Sequence, residues 1–260
     1  MKTFTATIEP KPYDPKTDTT YIDNSYGDSM CKKYNVAIDM VQREGYKGWV
    51  CFIHDDACIE TPQDIVAARL DQAYEKGQRI AGVIGTLNLD YLMHWWNPDR
   101  QVNGVGYIKQ RVLGPDKKPV EPPKFYEMRD WPGYHDGLAT VDGCVMWIHT
   151  DVFEKQRFDE NIPSYHFYDV DFCLQGLRNG FGICTIPVSV WHASPGDLPK
   201  NINELRAPVF EKWARLANTF PINKFALFRR DEDVEIPTVQ REPETKSKSR
   251  RKAESDSAQG

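Results

Sequence analysis

Strand-like and helix-like segments alternate over the first 85 residues, and this alternation constrains the fold more than any other feature of the sequence. Residues 28–44 carry apolar side chains at helical spacing, with Asp28 or Ser29 as the cap. A second helical pattern runs from residue 61 to residue 76, with Thr61 as the cap and Pro62 in the first turn. Strands alternating with helices indicate a mostly parallel sheet covered by helices, so we expect an α/β fold. The strands predicted around these helices are residues 3–8, 19–22, 49–53 and 79–84.

The pattern is less regular after residue 85. Residues 86–135 are rich in Trp, Tyr, Pro and Gly, which predicts an irregular, aromatic-rich insertion. From residue 231 the chain is polar and charged, which predicts a disordered tail over 231–260 behind a domain over 1–230. The remaining predicted elements are strands at 141–148 and 182–191, a helical turn at 150–155, and helices at 169–179 and 205–217.

Composition excludes several classes of protein. The 260 residues are 40% hydrophobic, enough for one sizeable core, and a net charge of -5 argues against a surface dominated by phosphate-backbone binding. No apolar run approaches the ~20 residues of a membrane span, so we expect no transmembrane anchor. The six cysteines are scattered without a CxxC pair, so we expect neither a zinc site nor a disulfide framework, and a cytoplasmic location.

An apolar strand, Val50–Ile53, ends on His54, Asp55 and Asp56. Ligands of open parallel sheets bind at the carboxyl ends of the strands, where two carboxylates could hold Mg²⁺ or Mn²⁺ against a diphosphate. The alternative is that one of these carboxylates caps the following helix.

Two further polar segments occupy comparable positions. Asp169 and Asp171 flank the predicted start of a helix, where the helix dipole stabilises a carboxylate that could accept a proton from a hydroxyl; helix capping is again the alternative. His192 directly follows the last strand, so it could share a metal ion with Asp56, although a lone histidine is more often structural.

The order of these motifs resembles family 2 glycosyltransferases of the GT-A fold, in the branch typified by a streptomycin-biosynthesis glycosyltransferase. The resemblance implies a Rossmann-like, mostly parallel central sheet and a transfer of sugar from a nucleotide-diphosphate sugar, most simply a UDP-sugar. The four segments that carry the resemblance are YIDNSYGDSMCKKYN at 21–35, CFIHDDACIE at 51–60 (similar to the DXD motif), AGVIGTLNLDYLMHWW at 81–96, and the stretch from VDGCVMWIHT to WHASPG at 141–196.

The resemblance also implies roles for individual residues. Asp56, with Asp55, would hold a Mn²⁺ or Mg²⁺ ion that bridges the donor phosphates, and His192 would be a further ligand. Asp169 would be the general base, with Asp171 as the alternative because relatives have Glu-Asp at this position. The remaining roles implied are nucleotide contact for Asp23 and Asn24, proximity to the transferred sugar for Asp142 and Gly143, and a sugar or acceptor groove lined by Trp95 and Trp96.

One departure from the family pattern concerns the first helix. Only about ten residues, including three prolines, separate Glu9 from Thr19, so we predict that the helix usual at this position is missing. The nucleotide pocket is then incomplete or differently built.

Two other functions remain open at this point: a nucleotidyltransferase that uses the same carboxylates, and a sugar or nucleotide binder without turnover. The acceptor also stays open between a glycan, a small molecule, a protein and a modified DNA base.

Overall fold

The computed structural model describes residues 1–89, 93, 104–111, 120, 125–128, 132–162, 165–193 and 199–216. Trp95, Trp96 and the predicted tail lie outside these residues, and so does the predicted domain boundary at residue 230. The predictions made for them stay predictions.

The helices are α1 (Met30–Arg43), α2 (Gln63–Glu75), α3 (Tyr168–Arg178) and α4 (Ile202–Ala214), with 3-10 turns at Asn24–Tyr26 and Thr150–Glu154. The strands are β1 (Lys2–Ala6), β2 (Thr19–Ile22), β3 (Trp49–His54), β4 (Ala57–Ile59), β5 (Gln78–Gly82), β6 (Ile84–Thr86), β7 (Gly104–Gly106), β8 (Ile108–Arg111), β9 (Phe125–Met128), β10 (Thr140–Val141), β11 (Val145–His149), β12 (Gly182–Thr185) and β13 (Val190–His192).

Six strands form the central sheet, in the order β12-β5-β11-β3-β1-β2. All neighbours are parallel except β11, which runs antiparallel to both β3 and β5. The predicted α/β fold with a mostly parallel central sheet is therefore confirmed.

The two faces of this sheet contribute to two hydrophobic clusters, as the alternation of side chains along a strand requires. On β3, Val50 and Phe52 pack with buried residues of α1, α3 and α4, whereas Cys51 and Ile53 pack with buried residues of α2. The helices thus flank the sheet on both sides. No helix in the described part of the chain is long and apolar enough to cross a membrane.

Two smaller sheets adjoin the carboxyl ends of the central strands. One has the order β10-β6-β7 and the other β4-β13-β8-β9. They arise because three predicted strands are split: residues 79–84 divide between β5 and β6, residues 141–148 between β10 and β11, and residues 182–191 between β12 and β13. Each break redirects the chain at the edge of the sheet where a ligand is expected.

Two predictions about helix starts have different outcomes. Ser29 caps α1, since its hydroxyl accepts from the amide of Lys32 at 3.3 Å. Thr61 does not cap α2, which has no side-chain cap; its hydroxyl instead accepts from the amide of Ser189 at 2.8 Å and ties α2 to the segment before β13.

The predicted absence of the first helix is confirmed. Residues 7–18, which connect the parallel strands β1 and β2, contain no helix. A crossover between parallel strands usually contains one, so the side of β1 and β2 that such a helix would cover is built differently here.

Candidate functional site

The candidate site lies where β3 ends. Asp55 and Asp56 form the turn between β3 and β4, and β13 pairs antiparallel with β4 so that His192 lies opposite Ala57. The amide of Ala193 donates to the carbonyl oxygen of Asp56 at 2.8 Å. This register brings His192 next to Asp56, although the two are far apart in the sequence.

His54, the last residue of β3, completes a three-residue cluster. His54, Asp56 and His192 each offer one potential ligand atom, and these atoms lie within 4.8 Å of one another. Nε2 of His192 lies 3.2 Å from Oδ1 of Asp56, so the two form an ion pair when the imidazole is protonated. This nitrogen is buried and has no hydrogen-bond partner among the described residues. A buried polar atom that lacks a partner is unfavourable, and a cation between these atoms would remove that cost.

A tyrosine orients His54. The hydroxyl of Tyr168 donates to the carbonyl oxygen of Gly143 at 2.8 Å, and Nε2 of His54 lies 2.8 Å from the same hydroxyl. Because a carbonyl can only accept, the tyrosine proton is committed to Gly143, and Nε2 of His54 must be the donor in the other bond. Nδ1 of His54 then carries the free lone pair that a metal ligand needs, in the manner of the outer-shell contacts that fix metal-bound histidines.

The electrostatics of the cluster favour a positive charge beside Asp56 and a neutral imidazole at His54. Burial lowers the pKa of His54, and the nearby His192 lowers it further. Burial raises the pKa of Asp56, but the two imidazoles outweigh this effect and keep it below its usual value. Burial lowers the pKa of His192, yet Asp56 and Asp142 raise it above its usual value. The acidic surroundings therefore favour a cation, which a proton or a metal ion can supply.

Asp169 lies in the first turn of α3, after Phe167, whose φ of 66° is uncommon for a residue other than glycine. Its Oδ2 accepts from the amide of Gly143 at 2.8 Å and its Oδ1 from the amide of Val170 at 2.9 Å. Burial, and then the charge of Asp142, raise the pKa of Asp169 to about 7. A carboxyl group with such a pKa can exchange a proton near neutral pH.

Asp142 and Gly143 form the turn between β10 and β11. Asp142 accepts from the amide of Cys144 at 2.7 Å. A Cβ atom on Gly143 would lie 2.1 Å from the hydroxyl of Tyr168, so no larger residue fits without a shift. The close approach of a sugar is therefore not needed to explain this glycine, because the packing of Tyr168 already requires it.

Asp171 faces the interior between α3 and α4, and it is fully buried. It accepts from Nε2 of Gln175, from Nε1 of Trp213 and from Nζ of Lys212, each at 2.7 Å. These three donors engage both carboxylate oxygens. Of the two acidic residues considered as the base, Asp171 is thus the one with an evident structural role.

Asp55 lies outside the three-residue cluster, although the sequence suggested that it assists Asp56. Its side chain is 46% exposed and forms an ion pair with Lys11 at 3.4 Å. An exposed pair of this kind contributes little to stability.

Asp23 and Asn24 lie at the end of β2. Asp23 caps the 3-10 turn that follows, since its carboxylate accepts from the amide of Ser25 at 2.7 Å. Asn24 is exposed. The groove predicted at Trp95 and Trp96 lies outside the described residues.

Sequence reasoning missed two members of the site. His54 could have been found, because it belongs to the same strand end as the two aspartates and imidazole is a common metal ligand. Tyr168 had no such signal, because its role depends on a contact with His54 over 114 positions of sequence.

The fold and the clustered side chains define an α/β protein with a candidate metal centre at the carboxyl edge of its sheet. Residues 8–197 match the model of a family described as "Glycosyltransferase like family", and the chain belongs to that family. The narrower resemblance to the streptomycin-biosynthesis branch stays a prediction.

No curated protein matches the chain. The solved structures with some likeness include A197 from STIV, at 9% identity and a TM-score of 0.44 over 75% of this chain and 86% of that one. GalNAc-T7 with UDP, GalNAc and Mn²⁺ has 9% identity and a TM-score of 0.42, over 69% of this chain and 33% of that one. CMP:2-keto-3-deoxy-manno-octonic acid synthetase complexed with CTP has 13% identity and a TM-score of 0.32, over 82% of both chains. Scores this low carry no inference about chemistry.

Proposed function

We propose that the protein is a metal-dependent, inverting glycosyltransferase that moves a sugar from a nucleotide-diphosphate sugar, most simply a UDP-sugar, to an acceptor hydroxyl. The observation that supports this most strongly is the convergence of His54, Asp56 and His192 at the carboxyl edge of the sheet. A chain of contacts through Tyr168 and Gly143 links this cluster to the buried Asp169.

His54, Asp56 and His192 would hold the divalent ion. One carboxylate and two imidazoles suit Mn²⁺ better than Mg²⁺, because Mg²⁺ prefers oxygen ligands. When bound, the ion would stabilise the negative charge that develops on the departing nucleoside diphosphate.

Asp169 would be the general base. Its carboxylate takes the proton of the acceptor hydroxyl while the acceptor oxygen bonds to the anomeric carbon. The bond from that carbon to the diphosphate oxygen breaks, and its electron pair leaves with the nucleoside diphosphate. Attack from the face opposite the leaving group inverts the anomeric configuration. The amides of Gly143 and Val170 hold the carboxylate in place, and Asp142 with Gly143 would border the transferred sugar.

The test is release of nucleoside diphosphate from UDP-sugars in the presence of Mn²⁺. We expect free UDP from at least one donor, and no release from the variant Asp56→Ala. Asp151→Ala is a matched control, because Asp151 also lies beside a histidine but at the far end of β11. Release of pyrophosphate instead would indicate a nucleotidyltransferase, and binding without release would indicate a binder without turnover.

The stereochemistry of the product tests the role of Asp169 separately. NMR of the anomeric proton distinguishes the two outcomes. Retention of the donor's configuration would contradict a single base on the opposite face, even if transfer itself is observed.

A further inference from the structure

The missing first helix leaves a cavity on one side of β1 and β2. Phe4 and Ala6 of β1 belong to the hydrophobic cluster that includes α1. Thr3 and Thr5 alternate with them and therefore face the opposite side. On that side lies a cavity of about 400 Å³, within the range of roughly 300–1,000 Å³ for small-molecule sites.

The cavity has the chemistry of a site for a polar, ring-containing ligand. Hydroxyl groups of Thr3, Thr5 and Thr19 lie along the two strands, and Tyr21 of β2 adds an aromatic ring. The connecting loop contributes Lys16 and Asp14, whose opposite charges interact. It also contributes Lys11, whose ammonium group lies 5.6 Å from the centre of the Tyr21 ring. Hydroxyl groups and one aromatic face suit a molecule that carries a flat base and hydroxyl groups.

The cavity also reaches the candidate metal cluster. His54 and Asp55 line it, and His54 is one of the three potential ligands. Asp142 and Asp169 do not line the cavity; they are the side chains assigned to the sugar and the acceptor. A diphosphate held at the cluster would therefore have its sugar end towards Asp169 and its other end towards the cavity.

We propose that this cavity binds the nucleoside of the donor, with the base against Tyr21 and the ribose hydroxyls near the threonines. This inference rests on the proposed function and differs from what the family resemblance implies, which is nucleotide contact by Asp23 and Asn24. Neither of those residues lines the cavity. In this chain, the loop that replaces the first helix thus opens a site instead of covering the sheet.

Calorimetric titration of the full chain with UDP in the presence of Mn²⁺ tests this assignment. Tyr21→Ala should weaken UDP binding about tenfold, in line with the loss of one stacked base. Thr5→Val removes a hydroxyl at nearly constant volume and should weaken it less, in the same direction. Tyr13→Ala is the matched control, because Tyr13 lies in the same loop region, is 54% exposed and does not line the cavity. This variant should bind UDP with the affinity of the wild type. Melting curves establish that each variant is folded.

A UDP analogue with a photoreactive base gives a second readout that does not depend on a substitution. Crosslinks to the peptides of β1, β2 and the loop between them support the assignment. Crosslinks confined to the turn at residues 23–26, together with normal UDP binding by Tyr21→Ala and weakened binding by Asp23→Ala, would overturn it while leaving the transferase proposal intact. If the wild-type chain binds no nucleoside diphosphate at all, the proposed function itself fails.

Discussion

Two histidine–aspartate pairs lie near opposite ends of the central sheet, and they show why such a pair alone does not make a metal site. Nε2 of His192 is 3.2 Å from Asp56, and Nδ1 of His149 is 3.1 Å from Asp151. The two histidine side chains are equally exposed, at 13%. By distance and burial the pairs are nearly identical, so the difference must lie in what surrounds them.

The pair at the end of β11 is satisfied. Nδ1 of His149 accepts from the amide of Asp151 at 3.3 Å, and Asp151 forms an ion pair with Nε of Arg79 at 3.1 Å. The rings of Trp49 and Tyr74 pack against His149. Nδ1 of His149 and the carboxylate of Asp151 therefore both have partners, and the guanidinium of Arg79 balances the charge of the carboxylate.

The pair at the end of β3 is not satisfied in this way. His192 keeps a buried nitrogen without a hydrogen bond to any described residue, a second imidazole from His54 points to the same place, and Asp142 adds negative charge. Convergence of three potential ligand atoms, and not proximity of one histidine to one aspartate, is what distinguishes a candidate metal centre.

The largest expected effect separates the two pairs directly. His192→Ala removes one of three proposed ligands, so we expect this variant to lose Mn²⁺ binding. The electron paramagnetic resonance signal of the free ion measures the binding. The loss should exceed the roughly 10–100-fold effect of changing an outer-shell contact. His149→Ala should leave Mn²⁺ binding unchanged and lower only the melting temperature. Equal Mn²⁺ affinities of the two variants would remove the distinction between the pairs.

The two acidic residues in the first turn of α3 form a second contrast of the same kind. Asp169→Asn should lower kcat by about 10²–10⁴-fold, because it removes the proposed base. Asp171→Asn should change kcat little but lower the free energy of unfolding by roughly 2 kcal/mol, because it weakens a buried, charge-assisted network with Lys212 and Trp213. Turnover of the UDP-sugar measures kcat, and urea titration measures the free energy of unfolding. A larger loss of kcat in Asp171→Asn would reverse the assignment of the base.

These contrasts show how much of the candidate site could be predicted from the sequence. Asp56 and His192 could be paired in advance because both follow apolar strands, and the carboxyl ends of strands gather at one edge of an α/β sheet. The interior role of Asp171 could not be predicted, since it depends on where α4 packs and thus on Lys212 and Trp213. The spacing of residues predicted that both Asp169 and Asp171 lie at a helix start, so it could not distinguish the proposed base from the residue with a structural role.

The fold was predictable to a similar extent. The alternation of segments predicted the parallel part of the sheet, and the short, proline-containing segment between Glu9 and Thr19 predicted the missing helix. The alternation did not predict that β11 inserts between β3 and β5 in the opposite direction, because an apolar run such as residues 145–148 has the same pattern in either orientation. The breaks that build the two smaller sheets were also missed, since they depend on pairing between distant segments.

A smaller effect concerns the pH dependence of stability. The pKa of Asp169 is raised from 3.8 to about 7, so between these values the folded chain keeps a proton that the unfolded chain releases. The free energy of unfolding must then fall as pH rises through this window, by at most about 1.4 kcal/mol per pH unit, and level off above it. Asp169→Asn lacks this contribution, so the difference in stability between wild type and variant should change over pH 4–7. A difference that is constant with pH would show that the carboxyl group is not shielded as the structure indicates.

The smallest expected effect tests whether Tyr168 positions the metal ligand His54. Tyr168→Phe keeps the ring but removes the hydroxyl that receives Nε2–H of His54 and holds the carbonyl of Gly143. We expect Mn²⁺ affinity to fall about tenfold, the lower end of the range for outer-shell contacts, because the imidazole is no longer fixed in one tautomer and orientation. Tyr46→Phe is the matched control, since its hydroxyl donates to the carbonyl of Trp49 at 3.2 Å, away from the cluster. Should both variants lose stability equally and bind Mn²⁺ equally, the Tyr168 hydroxyl would contribute only to folding, as we expect of the His149–Asp151 pair.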